Sequence, residues 1–159
     1  MTEPIVDKPH FPKEYGNPKE RLMWSYVEKR LGEARQYWIA SVRPDGRPHV
    51  IPRDGMWIDG ALYYGGSPET VHHRNVTNNP NVVVHIGDGW EAFMVEGVIE
   101  VEVPSDEKAQ HLADEMFAKY PAYGKLDPKI FQSGVAVLRP KLVLAWTDFT
   151  KNATRFRFP

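Results

Sequence analysis

The sequence predicts an α+β fold, mainly β: a six- to seven-stranded antiparallel β-barrel with short flanking helices. Three observations predict it. Apolar residues alternate with a period of two through most of the chain, turn dipeptides such as Asp59-Gly60 separate the alternating runs, and only short segments carry the helical period. At 159 residues the chain suits a single domain burying roughly 70% of its unfolded surface. With 20 Lys and Arg against 21 Asp and Glu, no basic excess invites nucleic acid. The absence of cysteine excludes disulfides and thiolate catalysis. The start MTEPIVDKPHFPKEYGNPKE lacks the apolar core of a signal peptide, and no run approaches the ~18 apolar residues of a membrane span. A cytoplasmic protein is expected.

Residues 1–16, with Pro4, Pro9 and Pro12 and no apolar period, read as an extended arm, and 17–159 as the domain. Asn17-Pro18 is a helix start, followed by Leu22, Met23, Tyr26, Val27 and Leu31 on one face and Gly32 as a stop. The period then changes to two. Strands are expected near 36–43, 47–58 and 61–65, in an antiparallel meander. NVVVHIG reads as a buried strand and EAFMVEGVIEVEV as one whose end alternates into solvent. Ser105 caps a second amphipathic helix, with Ala109, Leu112, Ala113, Met116, Phe117 and Tyr120 as its buried stripe. SGVAVLRPKLVLAWTD and ATRFRFP supply the closing strands.

Between these elements, SPETVHHRNVTNNP concentrates nitrogen on one short helix. Ser67, Pro68 and Glu69 read as its cap and first positions, whose free amides suit an anion. Thr70 adds a hydroxyl, and His72 and Arg74 can flank the same region. Arg53, closing the strand HVIP and expected to face away from Ile51, completes a phosphate clamp. The alternative is a capped surface helix with solvated side chains. His72 and His73 project about 100° apart and do not chelate one metal together. No nucleophile motif, carboxylate pair or Gly-rich nucleotide fingerprint marks a catalytic residue. His49 and His85 read as strand histidines held by backbone, and Trp57, Tyr64 and Trp90 as candidate walls of a substrate pocket.

The run DGRPHVIPR, a DG turn and ALYYGGSPETVHHRNVTNNPNVVV resemble the pyridoxamine 5′-phosphate oxidase-like, flavin-binding split β-barrel superfamily. The ending WTDFTKNATRFRF is similar to that of relatives using the deazaflavin coenzyme F-420 rather than FMN. The resemblance implies that the helix start holds the cofactor phosphate. Thr70 takes the hydroxyl position, His72 stands where lysine is usual, Arg74 takes the second basic position, and Asn75, Asn79 and Pro80 match. Pro52 and Arg53 would line the ring and ribityl chain. It further implies a homodimer with cofactor sites at its interface, and hydride transfer to or from a small organic substrate. The alternative is a flavin or deazaflavin carrier without turnover. Histidine, with an ordinary pKa near ~6.5, is a weaker phosphate partner than lysine.

Overall fold

The computed structural model describes residues 3–159; the first two residues of the expected arm lie outside the described residues. Alternating sequence becomes antiparallel strand throughout. In chain order these are β1 (Ile5–Asp7), β2 (Tyr37–Val42), β3 (Pro48–Arg53), β4 (Met56–Ile58), β5 (Ala61–Tyr64), β6 (Asn81–Gly87), β7 (Ala92–Glu102), β8 (Val135–Trp146) and β9 (Thr154–Arg157). Three α-helices accompany them: α1 (Trp24–Glu33), α2 (Val71–Asn78) and α3 (Asp106–Lys119). The sheet runs β1-β9-β8-β7-β6-β2-β3, and β4 and β5 branch from β8. It does not close into a barrel, so the architecture is the open, split form.

Long β8 makes the split possible. Its first half pairs with β5 and its second half with β9, while β7 runs along its other side. A bulge between Glu96 and Gly97 bends the β7–β8 ladder, and a side-chain carbon at Gly97 would meet the Arg139 carbonyl oxygen at 2.2 Å.

Nine strands exceed the expected six to seven for two reasons. The arm pairs its Ile5–Asp7 with β9, where Asp7 also bonds Arg155. The run 47–58 breaks at Asp54-Gly55, because the Gly55 amide donates to the Tyr120 hydroxyl at 3.1 Å and a Cβ there would lie 2.9 Å from Leu62. Helix α1 starts at Trp24, not at Pro18. The amides of Lys19 and Glu20 donate instead to the Lys151 carbonyl at 2.8 and 3.1 Å, and that of Leu22 to Thr154 Oγ1 at 2.9 Å. Long-range acceptors thus outcompete the local cap.

Two cores result. Val27 and Leu31 of α1 pack with Tyr37, Ile39, Val84, Phe93 and Phe156. Ala109, Leu112 and Ala113 of α3 pack with Met56, Phe131 and Val137. Each large side chain fully buried here contributes about 1.5–3 kcal/mol. Ser105 caps α3 as expected, its hydroxyl accepting the Lys108 amide at 3.3 Å. Among the described residues no helix is long and apolar enough to cross a membrane.

Candidate functional site

Strand β3 leaves His49, Ile51 and Arg53 half-buried on one face and Pro48, Val50 and Pro52 exposed on the other. The expectation that Arg53 faces away from Ile51 is therefore corrected, since residues two apart on a strand share a face. Strand β5 ends at Tyr64, and Gly65-Gly66 carry the chain to α2. Arg53 lies over this turn: a Cβ on Gly66 would come within 3.0 Å of Arg53 Nη2. Glycine is what seats the guanidinium.

A cleft of about 180 Å³ opens there. Its polar wall is Arg53, Tyr64, Ser67, Thr70, His72, His73 and Ser133, and its apolar wall includes Val76, Ile99, Val101 and Ala136. Five residues singled out in the sequence therefore meet in one place. The helix start itself differs from expectation: the cap of α2 is Thr70, whose Oγ1 accepts the His73 amide at 3.2 Å. Ser67 instead closes its own turn, its hydroxyl accepting the Glu69 amide at 3.2 Å and its carbonyl accepting Thr70 Oγ1 at 3.0 Å. Two neighbouring residues with cap chemistry competed, and the one nearer the helical run won.

His72 is only 3% exposed. Its Nε2 lies 2.8 Å from the Tyr64 hydroxyl. Burial first, then the nearby Arg53, His49 and His73, push its pKa down to about 4. Burial pushes that of Tyr64 up, opposed by Arg53. Both partners are thus neutral at neutral pH. Three buried nitrogens near this cleft, His49 Nδ1, Arg53 Nε and His72 Nδ1, have no hydrogen-bond partner. A buried polar atom left unpaired costs about 1–3 kcal/mol, so three gathered together call for a ligand.

Other sequence candidates lie elsewhere. Asn75 is buried and donates to Ser41 Oγ at 3.1 Å, tying α2 to β2. Arg74 is exposed, and its Nη1 donates to the Glu69 carbonyl at 3.0 Å, outside the cleft lining. Pro52 sits on the exposed face of β3, opposite Trp38. Trp57 packs edge-on against Trp24, with centroids 6.5 Å apart. Trp90, 86% exposed, borders a separate cleft with Trp146 and Phe149. The expectation that Trp57 and Trp90 wall one pocket with Tyr64 is corrected for the single chain: only Tyr64 is in it. His49 was missed as a site residue, although its two-and-four spacing to Ile51 and Arg53 on one strand placed it on the Arg53 face. Among the described residues no group of three His, Asp or Glu side chains is arranged to hold a metal ion.

Residues 23–147 match the sequence profile of the pyridoxamine 5′-phosphate oxidase family. The chain belongs to that family. No curated protein sequence matches it. Among solved structures, it is similar to a conserved hypothetical protein, Rv2991, from Mycobacterium tuberculosis, at 21% identity over 80% of this chain and 89% of that one, with a TM-score of 0.65. It is similar to an F420 reductase at 24% identity, over 72% of this chain and 94% of that one, with a TM-score of 0.56. A heme binding protein from Mycobacterium smegmatis shares the fold at 17% identity, over 79% of this chain and 54% of that one, with a TM-score of 0.62. These likenesses establish the fold.

Proposed function

We propose that this family member is an oxidoreductase that binds a flavin-type cofactor, F-420 or FMN, and transfers hydride to or from a small organic substrate. The observation that carries this reading is the set of unpaired buried nitrogens, Arg53 Nε, His72 Nδ1 and His49 Nδ1, gathered near a cleft at the start of α2. Those residues fit a cofactor phosphate. Arg53 supplies a charge-assisted donor, and the amides of Val71 and His72 in the first turn of α2 have no intrahelical partner. When Tyr64 donates to Nε2, the His72 Nδ1 carries its proton and donates as well. The apolar wall of Val76, Ile99 and Val101 keeps water from these donors and strengthens them.

The bound cofactor supplies the hydride chemistry, leaving this chain to bind, orient and dry the site. A cleft of about 180 Å³ is small beside the roughly 300–1,000 Å³ of complete ligand sites, so one chain holds the phosphate end. A second copy of the chain supplies the remainder in this proposal. The outer face of β2, β3 and β6 suits that role, with Trp38, Val42, Val50 and Val83 exposed by 43, 37, 50 and 36% next to the free edge of β3. A carrier without turnover is the second reading, favoured by the neutral Tyr64–His72 pair, which offers no ready acid at neutral pH.

Fluorescence titration with FMN and F-420 tests the binding. At least one is expected to bind below ~100 μM, about 5.5 kcal/mol; failure of both sinks the proposal. Oxidation of the reduced bound cofactor by a conjugated acceptor then separates enzyme from carrier. Sedimentation of the wild type and of Val50→Lys tests the interface, with a dimer expected to shift toward monomer in the variant.

A further inference from the structure

The cleft combines one permanent cation with several neutral donors, and this balance bears on which phosphate it accepts. Every group facing His72 is identifiable. From β3 come His49 and Arg53, from β5 Tyr64, and from α2 its neighbour His73. The lining contributed by β7 and β8 is aliphatic: Ile99, Val101 and Ala136. Among the described residues no lysine and no carboxylate lines the cleft. Arg74, the one arginine of α2, directs its guanidinium to the Glu69 carbonyl.

We infer that this site takes a singly charged phosphodiester in preference to a doubly charged phosphomonoester. The inference rests on the flavin-type reading above and deepens it, because FMN carries a monoester and F-420 a diester. A monoester has a second pKa near ~6 and so bears close to two charges at pH 8. Arg53 neutralises one. The second would need a proton on an imidazole, and at His72, whose Nδ1 is the unpaired donor, burial and the nearby Arg53 oppose it. A diester needs only Arg53, with His72 Nδ1–H and the first-turn amides serving as neutral donors to its remaining oxygens. Where lysine in place of His72 would supply a second positive charge, this chain supplies a donor without one.

Matched ligands isolate the charge. FMN and its phosphate monomethyl ester share ring and chain, differing by one charge at pH 8. The phosphomonoester of the F-420 chromophore and its own monomethyl ester form the corresponding deazaflavin pair. Isothermal titration at pH 8 is expected to show the diester of each binding pair at least about tenfold tighter than the monoester, a difference of ~1.4 kcal/mol. At pH 5.5, where the monoester takes up a proton, the methyl ester's advantage over FMN is expected to shrink to about threefold or less. The His72→Lys variant at pH 8 is expected to strengthen monoester binding about tenfold and diester binding far less. Equal or tighter monoester binding by the wild type at pH 8 overturns the inference while leaving the flavin-type reading intact. A lack of binding by all four ligands overturns both.

Discussion

Arg53 and Gly55 stand two residues apart in sequence and in opposite circumstances. At Gly55 both backbone polar groups are partnered, although Trp57 Nε1 two residues on is buried without a partner. The Gly55 amide donates to the Tyr120 hydroxyl at 3.1 Å, its carbonyl accepts Lys119 Nζ at 2.9 Å, and Lys119 also reaches the Tyr37 hydroxyl at 2.9 Å. Tyr120 in turn lies 2.8 Å from the Arg35 carbonyl. Around Arg53, by contrast, Nε and the Nδ1 atoms of His49 and His72 are buried without partners. Burial lowers a pKa in each region, that of Lys119 to about 8 and that of His72 to about 4. The difference teaches how to tell structure from site: a buried network that satisfies itself locks a corner of the fold, whereas one left open on one side awaits a ligand.

Substitutions on the two sides should therefore separate stability from binding. Arg53→Met is expected to lose about 1.5–3 kcal/mol of cofactor affinity, the worth of a charge-assisted bond, with thermal stability close to wild type. Calorimetric titration and thermal melting read the two effects independently. Tyr120→Phe is the mirror image. It strands the Gly55 amide without an acceptor, so about 1–2 kcal/mol of stability should vanish in urea unfolding while cofactor affinity holds. Gly66→Ala tests the seat of the guanidinium: a methyl 3.0 Å from the mobile end of Arg53 displaces that side chain at little cost to folding. Affinity should fall by about 1 kcal/mol, with an unchanged melting temperature.

Proton linkage divides the regions by pH. Folding lowers the His72 pKa from 6.5 to about 4, so the unfolded chain binds more protons in that window and stability rises with pH from about 4 to 6.5. Folding lowers the Lys119 pKa from 10.5 to about 8, and by the same sign stability rises again between about 8 and 10.5. Melting temperatures across both windows should lose the acid slope in His72→Gln and the alkaline slope in Lys119→Met. A bound phosphate should flatten only the first. The smallest effect is expected from Arg74→Ala, about 0.5 kcal/mol of affinity or less, because that guanidinium already bonds the Glu69 carbonyl in the open.

Local chemistry was readable where it acted locally. Asp59-Gly60 marked the β4–β5 turn, Ser105 marked the start of α3, and the runs NVVVHIG and EAFMVEGVIEVEV marked β6 and β7. Arg53, Thr70 and His72 line one cleft as expected, although the facing inferred for Arg53 on its strand was reversed. What the sequence concealed depends on partners far along the chain. Neither the Lys151 carbonyl that holds back α1 nor the Tyr120 hydroxyl that ends β3 is visible from residues nearby. The same holds for His72. Its spacing brought it to the cleft, but only the fold reveals that it is buried against Tyr64 and held neutral. Trp57 and Trp90 show the converse, because aromatic character alone does not say which cleft a side chain enters.

The central claim is that a ligand phosphate completes the unpaired nitrogens around Arg53. Titration of F-420 and FMN against wild-type protein and Arg53→Met, with melting temperatures recorded on the same samples, tests it most directly. The account predicts wild-type binding of at least one of them below ~100 μM, weakened about 10- to 100-fold in the variant at an unchanged melting temperature. Equal affinity in the two proteins would contradict it.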